Sequence, residues 1–281
     1  VEIRNLSSGS AWADAASLTA VATLGIRCGD EVAVRARGAA ADAAVRDVVA
    51  LARRGFEQTG TVSASAGVAS GPARLLRVEP TVVPDGPAAD VTAERRRLHE
   101  AIATVRRDLT ALRDRIAGTL GAEAAQIFDA HLVLLDDRAL LDRARARIEQ
   151  GDNVVAAWSV VIAEVADEFG ALTDPYLRAR GDDIAAIGDQ VLRTLCGMSP
   201  IDIPHSGVLV AADLTPAQAA ACVAADVRAV LLAAGDPLGH AAILLRSARI
   251  PAVFGAGPAV LDIPDGTPIE IDATHATFTT A

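Results

Sequence analysis

Lysine is absent from the 281 residues, and all 26 basic side chains are arginines. Without lysine there is no Gly-x-x-x-x-Gly-Lys phosphate loop, and neither Gly-x-Ser-x-Gly nor His-Glu-x-x-His occurs. Aromatic residues make up only 3%, so cores must be built mostly from Ala, Val, Leu and Ile. The three cysteines, Cys28, Cys196 and Cys222, are odd in number and far apart. They argue against a disulfide framework or a zinc site and for a reducing compartment. No apolar run approaches the ~20 residues of a membrane span, and residues 1–4 read as a strand rather than a signal peptide. The expected location is cytoplasmic, with no membrane partner. A net charge of −10 with no basic stripe makes a poor nucleic-acid binder. With 51% hydrophobic and 22% charged residues, the chain is expected to fold, and its length suggests about two domains with room for inserted modules.

Residues 1–57 read as strand, helix, strand, helix, with Asp14 as a cap for a helix running to about Thr23. Glu57-Gln58-Thr59-Gly60 looks like a linker, and two β-like stretches follow over 61–78. Four helical segments are expected at about 90–118, 121–149, 152–172 and 174–197. In the first, Leu98, Ile102, Val105, Leu109, Leu112 and Ile116 recur at spacings of three and four, which is one helix face. Four long helices with short connections imply an antiparallel bundle. From about residue 205 the period changes to short apolar strands alternating with helices. Thr215-Pro216-Ala217-Gln218 has capping-box spacing with Pro in the first turn. The order predicts an α/β domain interrupted by a helical bundle.

Among five histidines, His240 has the most specific setting. The apolar run at 227–232 passes through a turn to Gly239, and a helix starts at His240. A helix start offers unpaired N–H groups and a positive dipole end, which suit a phosphoryl group carrying close to two negative charges. Imidazole is a good nucleophile near pH 7. The plainer alternative is that His240 only caps the helix. None of His99, His131, His205 or His275 has a second ligand at metal spacing. His131 reads as packing or a helix–helix hydrogen bond. No metal or other cofactor is expected.

Gly239-His240-Ala241-Ala242-Ile243 through Arg246 to Pro251-Ala252-Val253-Phe254-Gly255 resembles the phosphohistidine segment of enzyme I of the phosphoenolpyruvate-dependent sugar phosphotransferase system. Ala211-Ala212-Asp213-Leu214-Thr215-Pro216 resembles that family's Asp-Leu-Thr-Pro segment. The resemblance extends to Phe128 through Asp137, to Tyr176-Leu177 through Asp183-Ile184 and Ile187-Gly188, and to Ala66 through Ala73. It covers residues 59–281. Residues 1–57 resemble the later two thirds of HPr, the small phosphocarrier, with Ser17 at that family's regulatory serine or simply on a solvent-facing helix. The combination looks like the phosphotransfer subunit of dihydroxyacetone kinase.

The resemblance implies a fold and a division of the chain. A partial HPr-like α+β open-faced sandwich (1–57) precedes a swivelling β/α phosphohistidine domain (58–88 and 199–281). A four-helix bundle (89–198) that docks HPr interrupts that domain. It also implies roles. His240 would carry the phosphoryl group, Thr215 would hydrogen-bond the imidazole or phosphate besides capping its helix, and Arg246 would pair charge or sit solvated at a helix end. Partners would be HPr-like carriers, IIA-like domains and dihydroxyacetone kinase subunits. The helical insertion would receive a basic surface on apolar residues ringed by Glu123, Asp129, Asp136 and Asp137. The phosphoenolpyruvate-binding barrel is not in the sequence, so the expected donor is another phosphoprotein. Before the His, the family has Gly-Gly-Arg-Thr-Ser where this chain has Gly235-Asp236-Pro237-Leu238-Gly239, so an Arg and two hydroxyls are replaced and Asp236 adds a negative charge. Ala185-Ala186 likewise stands where an Arg-Asp pair is usual. These departures motivate a rival reading, a docking module for HPr-like or IIA-like partners that takes no phosphate. A third, a swivelling domain of a dikinase-type enzyme, fits poorly with the helical insertion.

Overall fold

A computed structural model describes residues 1–15, 24, 26, 30–38, 40–53, 61–84, 86–172 and 175–280. The chain divides into two units, Val1–Thr59 and Gly60–Ala281.

In the first unit, β1 (Glu2–Asn5) is flanked by β2 (Ala13–Asp14) and β3 (Val32–Arg35), all antiparallel in the order β2-β1-β3, and α1 (Ala41–Arg53) follows. Arg35 pairs with Glu2 at 2.8 Å and lies 4.1 Å above the Trp12 ring. The buried Asn5 donates through Nδ2 to an Asp30 carboxylate oxygen at 2.8 Å. Asp14, expected only as a helix cap, belongs to a strand. The helix expected up to Thr23, Ser17 within it and the linker at 57–60 lie outside the described residues.

The second unit opens with β4 (Val62–Ser65) and β5 (Val68–Leu75) and then turns helical: α2 (Val91–Thr119), α3 (Ala122–Leu135), α4 (Arg138–Glu149), α5 (Val154–Gly170) and α6 (Pro175–Leu195). The face anticipated on α2, from Leu98 to Ile116, is buried. The single segment expected over 121–149 is two helices, because the Asp137 carboxylate accepts the Leu140 N–H at 3.0 Å and starts α4. The bundle therefore has five helices among the described residues, not four. The starts of α2, α4 and α5 are fixed by the side chains of Asp90, Asp137 and Asn153. The Asn153 side chain accepts from Ala156 N–H, and buried Glu94 of α2 accepts from Val154 N–H at 2.8 Å, tying α2 to the beginning of α5.

The chain then alternates: β6 (Val208–Ala211), α7 (Pro216–Ala224), β7 (Ala229–Leu232), α8 (His240–Ser247), β8 (Ala252–Phe254), a 3-10 turn (Pro258–Asp262), β9 (Pro268–Asp272) and β10 (Thr277–Thr280). The seven-stranded sheet has the order β10-β9-β5-β6-β7-β8-β4. Strands β5 to β8 are parallel, while β9 and β4 join antiparallel. The central strands are apolar on both faces, as expected for a covered parallel sheet. Val208, Val210, Leu231 and Val253 point into one core with Ile269 and Ile271. Leu209, Ala211, Val230, Leu232 and Phe254 point into the other, which runs without a break into the helices through Leu98, Phe128 and Trp158. The helical insertion thus shares a core with one face of the sheet. The short strand β8 was not anticipated from sequence.

Candidate functional site

Strands β6 and β7 are parallel neighbours, so the loops leaving their carboxyl ends lie side by side. That edge is where ligands collect in open α/β sheets. The loop after β6 leads to Thr215 and α7, and the loop after β7 leads to His240 and α8. The two loops touch at Gly235, whose φ is +104° and where an added Cβ would lie 3.0 Å from Phe254 and 3.1 Å from Asp213 Oδ1. Only glycine fits there without strain.

His240 is the first residue of α8, and its N-cap, Gly239, supplies no side-chain cap. The first-turn N–H groups are therefore not claimed by a capping side chain. The His240 imidazole, 29% exposed, has its Nδ1 2.8 Å from Oδ1 of Asp183, whose side chain is 5% exposed. The same oxygen lies 3.2 Å from Nε2 of His131, which is fully buried. Arg180 donates to the other carboxylate oxygen at 3.0 Å. Burial alone would raise the Asp183 carboxyl, but hydrogen bonds from His131 and His240 outweigh it and hold the group well below the usual carboxylate range. Asp183 is therefore ionised, and an ionised carboxylate only accepts. Both imidazoles then direct N–H groups at it, and in the neutral ring of His240 a proton on Nδ1 leaves Nε2 as a lone pair.

His131, Asp183 and His240 also offer three atoms within 4.8 Å of one another, a set that could hold a metal ion. Sequence spacing gave no hint of this set, because the three residues sit on α3, α6 and α8. A ligand histidine normally passes its outer N–H to a partner. His131 Nδ1 is buried and meets none among the described residues, which fits the hydrogen-bonded arrangement better than a metal centre.

More carboxylates gather around this triad. Burial raises Asp182, helped by Asp183 and Asp236. Burial also raises Asp213, opposed by the Leu214 N–H and reinforced by Asp182 and Asp236. Asp236 turns its own loop by accepting Leu238 N–H at 2.9 Å.

Of the two other expected site residues, Thr215 makes the capping box its spacing suggested. The Thr215 hydroxyl accepts Gln218 N–H at 3.3 Å, and the Gln218 side chain returns a bond to Thr215 N–H at 2.8 Å, completing the capping box. The described hydrogen bond of the His240 ring runs to Asp183 rather than to Thr215. Arg246 pairs with no carboxylate among the described residues. Its Nη1 donates to Ala64 O of β4 and to Pro237 O, each at 2.8 Å, clamping the loop that precedes His240. Of the remaining histidines, His99 and His205 are exposed, and His275 pairs with Asp272 at 2.7 Å in the β9–β10 turn.

Family models account for most of the chain. Residues 60–180 match "PEP-utilising enzyme, N-terminal", residues 203–276 match "PEP-utilising enzyme, mobile domain", and residues 1–54 match "PTS HPr component phosphorylation site". The chain belongs to the PEP-utilising enzymes. Its HPr-type segment stands ahead of that family's N-terminal and mobile domains. The multiphosphoryl transfer protein of Xanthomonas campestris pv. campestris is 31% identical over 95% of this chain and 36% of its own length. The phosphoryl donor subunit DhaM of the PEP-dependent dihydroxyacetone kinase of Pantoea ananatis is 33% identical over 88% of this chain and 54% of its own length. The phosphoenolpyruvate-protein phosphotransferase of Staphylococcus aureus is 32% identical over 76% of this chain and 38% of its own length. The chain therefore spans between a third and just over half of the length of the curated relatives it matches. Two solved structures share the fold. A solution structure of enzyme I superposes with a TM-score of 0.63 at 26% identity, covering 79% of this chain and 92% of that one. The N-terminal domain of a nitrogen-system enzyme I gives 0.56 at 27% identity, with 79% and 93% covered. The sequence resemblance to enzyme I and HPr is borne out. Among the described residues no helix is long and apolar enough to cross a membrane.

Sequence reasoning did not assign Asp183 or Arg180 a role at the site. A signal was present: Asp183 lies within the segment that resembled the family's last insertion helix. Nothing in the linear order showed that α6 brings it to His240.

Proposed function

We propose that this chain relays a phosphoryl group through Nε2 of His240, taking it from one protein histidine and giving it to another. The observation that carries this is the buried Asp183 carboxylate 2.8 Å from Nδ1 of a partly exposed ring, an arrangement that favours a proton on Nδ1 and Nε2 as the nucleophile. In the transfer, the Nε2 lone pair attacks phosphorus in line, and the P–N bond to the donor imidazole breaks with the electron pair staying on the donor. The proton on Nδ1 stays opposite Asp183. Such chemistry depends on positioning and charge stabilisation. We assign the phosphoryl-side donors to the first-turn N–H groups of α8 and to the Thr215 hydroxyl at the adjoining helix start. Arg246 we assign to holding the 236–239 loop.

The donors and acceptors proposed are an HPr-like carrier and a IIA-like domain, with dihydroxyacetone phosphorylation as the destination. The relatives' printed names, a multiphosphoryl transfer protein and a dihydroxyacetone kinase phosphoryl donor subunit, support that reading. On α3, Val133 is 72% exposed and shares a helix face with Asp129 and Asp136, four and three residues away. Those carboxylates pair with Arg113 and Arg106 of the same chain, so a basic partner would have to exchange with these arginines.

A second reading has its own observation. The carboxylates of Asp182, Asp213 and Asp236 oppose a dianion on His240, which favours a docking module that takes no phosphate. Incubation with labelled phospho-HPr separates the two. The relay predicts label on the wild-type chain that is lost in acid and kept in alkali, and no label on His240→Ala. Acid-labile label on His240→Ala, or none on wild type with any carrier, hands the case to the docking reading.

A further inference from the structure

One carboxylate oxygen at the site serves two imidazoles. Oδ1 of Asp183 lies 2.8 Å from His240 Nδ1 and 3.2 Å from His131 Nε2. The rings stand edge to face with centroids 6.2 Å apart. The two histidines differ in freedom. His240 is 29% exposed. His131 is fully buried on α3, packed edge-on against Phe128 at 5.8 Å. Its Nδ1 has no partner among the described residues. Moving its proton to Nδ1 would bury an N–H with nothing among the described residues to receive it and point a lone pair at a carboxylate. Both changes are unfavourable, so His131 is locked as an Nε2–H donor.

We propose that His131 is a positioning residue for the phosphoryl acceptor: its fixed Nε2–H holds the Asp183 carboxylate in place, and that carboxylate in turn fixes the Nδ1–H tautomer and orientation of His240. Arg180 restrains the other oxygen at 3.0 Å, so the carboxylate is gripped on both sides. The arrangement also explains how Asp183 can stay ionised while buried if His240 rotates toward a partner. Two donors remain on it, and no bare charge is left in the interior. Since His131 and Asp183 lie on the helical region and His240 lies on α8, the helices that would receive a carrier also set the state of the acceptor. The inference rests on the relay reading for its purpose but not for its geometry.

The test is a long-range proton–nitrogen correlation spectrum of the full chain labelled at histidine, alongside uptake of label from phospho-HPr. For wild type, His131 is expected protonated on Nε2 and His240 protonated on Nδ1. In His131→Leu, His240 is expected to lose the pure Nδ1–H signature and show both tautomers, and uptake falls about tenfold, the worth of one such hydrogen bond. His131→Gln, which keeps an amide donor, is expected to restore both readouts. A merely structural role would lower thermal stability without moving the tautomer. The inference is overturned if His240 keeps a pure Nδ1–H tautomer in a folded His131→Leu chain. It is equally overturned if wild-type His131 carries its proton on Nδ1, a measurement that decides the matter even where the Leu variant does not fold. The tautomer arm needs no phosphoryl donor. Failure of wild type to take label therefore sinks the relay alone.

Discussion

The carboxylate of Asp183 accepts from His131, His240 and Arg180 while 5% exposed, so its charge is stabilised in the folded state and only by water in the unfolded chain. Its folded pKa is depressed, with burial opposing and the two histidine bonds prevailing. For such an acid the unfolded state binds more protons at low pH. The contribution is present above the unfolded value of about 4 and is lost as pH falls from there toward the folded value. Urea midpoints between pH 5 and 3 should therefore drop more steeply for wild type than for Asp183→Asn. Parallel curves would remove the linkage. Asp236 presents the opposite situation. It is exposed, faces Asp182 and Asp213, and would add a like charge to a dianion at His240. A like charge near a surface is worth on the order of 1 kcal/mol, and Asp236→Asn keeps the acceptor for Leu238 N–H. Label uptake by Asp236→Asn should rise by roughly three- to fivefold. An unchanged or slower rate would mean that carrier side chains already neutralise this edge.

Helix crossings decide whether Asp183 reaches His240 at all. On α6, five residues past Asp183, an added Cβ at Gly188 would lie 2.3, 2.7 and 2.9 Å from three carbons of Ile162 on α5. The Gly188 carbonyl accepts from buried Trp158 Nε1–H at 3.0 Å. A methyl group there must push α5 and α6 apart, which overpacks a core with little slack. Gly188→Ala should cost about 1–3 kcal/mol, read as a lower urea midpoint, and should weaken the His240 tautomer preference because α6 carries Asp183. Full stability in Gly188→Ala would show that Ile162 repacks freely. The division of 121–149 into α3 and α4 has a similar local cause. The apolar pattern runs across the break, while Asp136 closes α3 and the Asp137 carboxylate caps the start of α4.

At the scale of the molecule, every member of the site belongs to the Gly60–Ala281 unit, and the core joins the helices to one face of the sheet. A fragment of residues 61–281 should unfold in a single cooperative transition, and its His240 should take label at a rate within about twofold of the full chain. Two separate transitions, or loss of uptake on removing residues 1–60, would show that the shared core or the independence of the site is misjudged.

Much of this architecture was written in local chemistry. The spacing of Leu98 to Ile116 set the buried face of α2, the Thr-Pro-Ala-Gln run set the start of α7, and the apolar run into Gly239-His240 set the strand, turn and helix that present the acceptor. These signals are readable because caps and periodicity act over a few residues. The three-residue strand β8 is too short for a period to show, and its pairing with β7 and β4 is what makes it a strand. What the sequence alone could not supply is the company His240 keeps. His131 and Asp183 lie 109 and 57 residues before it, and neither carries a local mark of partnership. The convergence of His131 and His240 on one Asp183 oxygen and the turn of Arg246 toward backbone carbonyls are set by how α3, α6 and α8 pack. Burial and the acceptor-only nature of a carboxylate then determine which imidazole nitrogen is left free.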